Sequence, residues 1–462
     1  MRAQTQALFA AAALSALVYL HLLRLDAVNG WRPVSEFLAC MFVLFLLYFA
    51  ASRVVTRKSA AQSGAWKWVA AGAVLFRLIL LPAGLPAGAS SSAKLNLLKQ
   101  DISSSAVTYE RFQLFDDDIW RYLWDGHILA AGVNPYRFAP ADAALDSVDE
   151  NTNPIWNDIR ENVSYPAVPT IYPPLAQAFF WLSNRLAPGS VLAMKALLNL
   201  FDLAAAGLLA LTLRAIGVNP AWALLYAWNP LVIKVFAGSG HVDAIAVAFM
   251  MAMAYCLARA APAAAAIALG LAILVKISPV ILLPFFWRRA GFRNAAIAAS
   301  VVVIGYLPFL SAGMRIFGGL AGFAREWQFN ASLYTVARWM AQPFTAHASA
   351  VAKAACGALL IALLARIWRR KSSATLAGEA ADGLGWLVLL SPAIMPWYAT
   401  WALPFAVLAR RRVWIAWTGI VCLAFFVMVD GTERPLILAL EYISLLGVWL
   451  FDVHLKQRNK TT

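Results

Sequence analysis

Three consecutive aspartates, Asp116, Asp117 and Asp118, stand directly before the stretch Ile119-Trp120-Arg121-Tyr122-Leu123-Trp124-Asp125-Gly126. Carboxylates so close raise one another's pKa unless they share a cation, a hydroxyl or a metal. One of them could take a proton from an acceptor hydroxyl, which is general-base chemistry. Asp118, Arg121, Tyr122 and Asp125 fall at i, i+3, i+4 and i+7, a single face of a helix that begins at the aspartates. Asp117 points about 100° away from that face. Asp118 is therefore the expected catalytic base, with Asp117 as the second catalytic candidate. The bland role for one of the three is a helix cap, since a carboxylate ahead of a helix meets free N–H groups and the positive end of the dipole. Asp116, Asp117 and Asp118 together also permit a divalent metal, Mg²⁺ or Mn²⁺, without requiring one. Asp125 is expected to pair with Arg121. Trp120, Leu123 and Trp124 form the other face, suited to a lipid interface, and Gly132 closes the helix before a turn at Asn134-Pro135-Tyr136.

The elements that must position these residues are membrane helices. Hydrophobic residues make up 62% of the 462, and only 13% are charged, about half the charge of a soluble domain. Apolar runs that could cross roughly 30 Å of hydrocarbon recur from end to end, and helices satisfy their own backbone there. The fold expected is all-α, a polytopic transmembrane protein of about 12–14 helices. A net charge of +15 does not signal nucleic acid, because the basic residues sit in short clusters between apolar runs: Arg53, Arg57 and Lys58; Arg288, Arg289 and Arg293; Arg369, Arg370 and Lys371; Arg410, Arg411 and Arg412; Lys456, Arg458 and Lys460. Positive-inside bias places all five in the cytoplasm.

With that constraint the alternation closes on fourteen crossings, two of them short, only if 86–170 and 312–347 are both outside. The first of these holds 12 of the 23 acidic residues, which fits an aqueous face. The organisation expected is two N-terminal helices in 1–65, a catalytic membrane module in 66–347 that includes both external loops, and C-terminal helices with a basic tail in 348–462. Cys40, Cys256, Cys356 and Cys422 lack metal or redox spacing, and four buried thiols are expected.

Three motifs in order carry a resemblance: Asp117 to Gly126, Gly132-Val133-Asn134-Pro135-Tyr136-Arg137, and Pro169-Thr170-Ile171-Tyr172-Pro173-Pro174-Leu175-Ala176-Gln177. Gly240-His241-Val242-Asp243, Lys276 with Pro279 and Pro284, and Pro396-Trp397-Tyr398 extend it over roughly 66 to 410. The sequence resembles the membrane-embedded C-type glycosyltransferases, most of all their bacterial mannosyltransferase-like branch that uses polyprenyl-phosphate sugars. It departs from them by two added N-terminal helices and by a Ser-rich stretch, Ala89 to Ser105, ahead of the acidic motif.

The resemblance implies inverting transfer of a monosaccharide, mannose foremost, from a polyprenyl-phosphate donor to a glycan or glycolipid acceptor. The site would face outward from a plasma membrane, with membrane lipid as a further partner and no cofactor beyond the metal already named. The departing phosphate needs positive charge on the outer face, for which Arg121, Arg137, Arg325 and Arg338 are the arginines at hand; each alone also serves as an interfacial anchor. Tyr122, Tyr172, Gln177, Trp397 and Tyr398 come from the motifs, and Trp327 and Asn330 offer a stacking face and hydrogen bonds from the second loop. Tyr172 equally marks a helix start, since Pro173 and Pro174 suit a first turn. His241 and Asp243 fall on the cytoplasmic side by this count, away from Asp118, and Lys276 is expected to snorkel to the cytoplasmic headgroups. A transporter or flippase for a lipid-linked sugar is the alternative, although such a protein concentrates polar residues near the bilayer midplane and few lie there.

Overall fold

A computed structural model of the chain describes residues 2–26, 34–57, 64–84, 116–149, 155–369, 375–430 and 434–461. The Ser-rich stretch and Asp101, Glu110, Glu150, Lys58, Arg370 and Lys371 lie outside the described residues. Within them the chain is all-α, with isolated bridges such as that between Phe329 and Ala393 but no strand. The protein is a polytopic membrane protein. Among the described residues six helices are long and apolar enough to cross: Gln4–Leu25, Val34–Val55, Val191–Ala215, Phe292–Glu326, Ala348–Arg369 and Pro435–His454. Large apolar side chains such as Leu17, Leu78, Ile304, Ile361 and Ile443 remain exposed on the bundle, as lipid contact requires.

Several of the apolar runs read as crossings are short or broken helices rather than continuous ones of full spanning length. Pro220–Ala227 and Pro230–Ser239 are bent by 59° at Trp228-Asn229, and count as one span at most. Asn229 caps the second piece, its Oδ1 accepting from the N–H groups of Leu231 and Val232, with Pro230 in the first turn. An Asn-Pro pair restarts a helix because the amide caps and the proline lacks only an N–H that would be unpaired anyway. Asp243–Ala258 and Pro262–Val275 are shorter apolar helices, and Pro279 and Pro284 break the run that follows.

The Asp118–Ala130 helix packs against Pro174–Leu186, closest at Gly126, where a Cβ would lie 2.4 Å from the Phe180 carbonyl oxygen. No larger residue fits there without moving backbone. Trp120, Leu123 and Trp124 are buried with Met194, Leu198 and Ile245, which corrects their expected place at the lipid interface. The long loop that follows the helix is folded back over them by Arg160, which donates to the carbonyls of Pro140 and Asp142, pairs with Asp146 and lies over the Trp124 ring. A protein surface, rather than lipid, therefore covers the aromatic face. The four cysteines are free, and Cys256 is half-buried rather than buried.

Residues 134–170 meet residues 309–319. Asn134 donates to the Phe309 carbonyl at 3.1 Å and to Ser311 at 3.0 Å, and Gly319 sits against the backbone of Pro169 and Thr170. Arg288 and Arg289 both engage Glu379, and Arg411 pairs with Asp382 at 3.2 Å.

Candidate active site

The three aspartates part company at the start of the helix. Asp116 is buried, with Lys234 Nζ donating to Oδ2 at 2.5 Å and His241 Nε2 3.2 Å from Oδ1. Asp117 occupies the N-cap position, but its carboxylate accepts from Ser164 Oγ at 2.6 Å and from no helix N–H. Asp118 opens the first turn, its side chain 30% exposed, with Oδ2 3.3 Å from His241 Nδ1 and 3.5 Å from the Tyr122 hydroxyl. The three do not form a shared ligand set, and among the described residues no three His, Cys, Asp or Glu side chains converge on a place for a metal ion. The metal grouping expected from the sequence is corrected on that ground.

His241 reaches Asp118 because the broken helix delivers it there. The segment Lys234–Ser239 is wound as a π-helix and ends at Gly240, whose φ of 79° lies in the left-handed region. A Cβ at Gly240 would stand 2.8 Å from the Lys195 side chain and 3.0 Å from Ile119, so only glycine lets the chain turn so close to the aspartate helix. The imidazole stacks on Trp397, ring centroids 3.9 Å apart. The expectation that His241 and Asp243 lie away from Asp118 is thus overturned, since the chain ahead of them is a bent helix pair rather than an unbroken crossing.

Burial opposes ionisation of Asp116, but the charges of Lys234 and His241 hold its carboxyl well below the usual carboxylate range. Burial lowers the His241 pKa, and the facing carboxylates of Asp116 and Asp118 outweigh it, so the imidazole is pushed up to about 9. Geometry agrees, since each ring nitrogen faces a carboxylate that, ionised, can only accept. The contacts are ion pairs rather than aligned hydrogen bonds. The result is a chain of alternating charge, Lys234, Asp116, His241, Asp118, of which Asp118 is the member with an open side.

Lys276 is the second departure from expectation. Its helix, Pro262–Val275, ends just before it in extended backbone, and the ammonium lies 3.3 Å from Asp243 Oδ2 and over the rings of Tyr172, Tyr398 and Trp401. Asp243 also accepts from Trp401 Nε1 at 2.6 Å. A cation held among aromatic faces and one carboxylate is fixed in place, and it is not free to snorkel to cytoplasmic headgroups.

Asp118 and Lys276 open on one cavity of about 420 Å³, whose wall also includes Asp116, Asp117, Arg121, Tyr172, Trp327, Trp397 and Tyr398. Other residues expected at the site stand elsewhere. Tyr122 is buried behind Asp118, stacked on Phe180 at 4.6 Å. Gln177 is spent on Asp125 and Thr170 at 3.0 and 2.8 Å, and Asp125 pairs with Arg121 at 2.8 Å. Arg137 lies over Phe138, Arg338 donates to Gln328, and neither they nor Arg325 line the cavity. Asn330 is fully buried and donates to Glu441 at 3.0 Å, which ties the second loop to the Pro435–Thr461 helix. Lys234, Ser164 and Tyr165 were missed altogether. Lys234 carried a usable signal, an ionisable group within an apolar run; Ser164 and Tyr165 carried none.

A family model described as alpha-(1->6)-mannopyranosyltransferase, N-terminal domain, matches residues 111–290, and one described as MptB C-terminal domain matches 328–451. The first stretch supplies the aspartates, Lys234, His241 and Lys276; the second supplies Trp397 and Tyr398. The chain is also similar to Alpha-(1->6)-mannopyranosyltransferase A of Mycobacterium tuberculosis, 26% identical over 359 residues that cover 69% of this chain and 67% of that protein. No solved structure matches.

Proposed function

We propose that this chain, similar to the mannosyltransferase-like branch of the membrane-embedded C-type glycosyltransferases, moves a mannosyl unit from a polyprenyl-phosphate donor onto a glycan or glycolipid acceptor, with inversion and with Asp118 as the base. The observation that carries the reading is the pairing in one cavity of a carboxylate with an open side, Asp118, and a fixed ammonium, Lys276. In a single displacement the acceptor oxygen bonds to C1 of the sugar, its proton passes to Asp118, and the C1–O bond to phosphate breaks. The electron pair leaves on the phosphate, where Lys276 and Arg121 meet the charge. His241 fixes the orientation of Asp118. Inversion to an α-linked product requires a β-linked donor, and the relative's name suggests a 1→6 linkage to mannose.

A second cavity of about 580 Å³ supports a lipid-borne donor. Its wall begins two residues beyond Tyr172 and two before Lys276, at Pro174, Leu175 and Leu274, and continues along Ile304 and Phe309 with apolar side chains only. A polyprenyl chain would lie there with its phosphate at Lys276. The five basic clusters, read as cytoplasmic, support a position of the cavity on the extracytoplasmic face of a plasma membrane.

The test is incubation of purified protein with a panel of polyprenyl-phosphate sugars and a short α-mannoside, reading polyprenyl phosphate release and the linkage formed. Release from the mannosyl donor alone, with an α-linked product, is the expected result. Release from no donor, or undiminished transfer by Asp118→Asn, overturns the reading.

A further inference from the structure

One aromatic pair at the cavity rim belongs to neither half of the charge machinery. Tyr165, from the loop after the Ile155–Glu161 helix, meets Trp327 of the second external loop with ring centroids 4.4 Å apart and planes at 59°. Trp327 in turn packs on Phe323 at 5.3 Å. Tyr165 is 60% exposed, and its φ of 55° puts a bulky residue in the left-handed region. Such a conformation is strained for a tyrosine, and strain of this kind persists where surrounding structure or function holds it. The neighbouring Ser164 donates to Asp117 at 2.6 Å, which anchors the strained turn to the aspartate motif.

We propose that Tyr165 and Trp327 together form the platform on which the terminal sugar ring of the acceptor stacks, placing its hydroxyl before Asp118. This inference rests on the glycosyl-transfer reading above. Two aromatic faces set at an angle give a sugar an apolar floor and side wall, at little cost in side-chain entropy. The platform serves the acceptor rather than the donor because of where it stands. Lys276, which would take the donor phosphate, has a side chain only 13% exposed beside the apolar groove, whereas Tyr165 is 60% exposed at the cavity rim, on the side from which a glycan would arrive in the proposed orientation.

Tyr165→Ala and Trp327→Leu should each raise the acceptor KM by about tenfold, the loss of one stacking face, while the donor KM stays; Tyr165→Phe should restore the wild-type value. Saturation-transfer NMR with an α-(1→6)-mannobiose probe reads binding without turnover, and the ring-proton signal should vanish in the Tyr165→Ala, Trp327→Leu double variant. A shift in donor KM without one in acceptor KM overturns the assignment, as does an unchanged acceptor KM or NMR signal. A fall in melting temperature with both KM values intact shows a packing contact between loops and likewise overturns it. If no donor is turned over, the reading of the activity has failed, and the NMR experiment still decides the platform.

Discussion

His241 lies between Asp116 and Asp118, 3.2 Å from one carboxylate and 3.3 Å from the other, so a single ring ties the first and third members of the aspartate run. Two carboxylates flanking one imidazolium leave one inward negative charge matched by Lys234 and one outward charge facing the cavity. The inner aspartate is thereby buried and paired, and the outer one, the base of the proposed reaction, is held with a side open to the cavity.

Asp118→Asn is expected to fold and bind donor but to transfer about two to four orders of magnitude more slowly, the usual loss on removing a general base. Asp117→Asn, which gives up the contact with Ser164, should retain measurable turnover. Initial rates on both variants at saturating donor decide the matter. If Asp117→Asn abolishes transfer and Asp118→Asn does not, the assignment is reversed.

Removing one partner of the Lys234–Asp116 pair should be costly, since the two side chains are 0% and 3% exposed. A buried charge left without its partner destabilises by about 3–5 kcal/mol. Lys234→Met should therefore lower the melting temperature in detergent sharply, and adding Asp116→Leu should recover part of it. A single variant as stable as wild type would show the pair to be dispensable.

The raised pKa of His241 gives stability a pH dependence of fixed sign. A group whose folded pKa of about 9 exceeds its ordinary 6.5 contributes fully below 6.5 and loses that contribution as pH rises towards 9. Melting temperature should fall across that interval in the wild type, and the His241-dependent part of the fall should disappear in His241→Gln. Parallel pH profiles for the two proteins would mean that His241 is not the titrating group.

Lys276→Met is expected to raise the donor KM by about ten- to a hundredfold, the loss of a hydrogen bond to a charged group. Arg325→Ala and Arg338→Ala should leave it close to wild type, because neither side chain lines the cavity. Donor titrations of the three variants side by side test this. A larger effect at either arginine would return the phosphate to the segment 312–347.

Composition and local pattern by themselves determined the fold class, the helix that begins at Asp118, and the pairing of Arg121 with Asp125. These follow from apolar content, from the 3.6-residue period and from contacts four residues apart, all of which act over short stretches of chain. Tertiary structure decided which charges face the cavity. Lys234 and His241 reach the aspartates, more than a hundred residues earlier, only because the chain breaks at Asn229-Pro230 and turns at Gly240. The Asn-Pro signal was there to read, but in an apolar run it is masked by hydrophobicity that suits a straight crossing equally well. Lys276 was assigned to the headgroups for the same reason: an ammonium in an apolar run must find a partner, and the sequence does not say whether the partner is solvent or Asp243. The burial of Trp120, Leu123 and Trp124 was hidden in turn, since lipid and protein reward an apolar helix face alike and only the packed chain shows which one covers it.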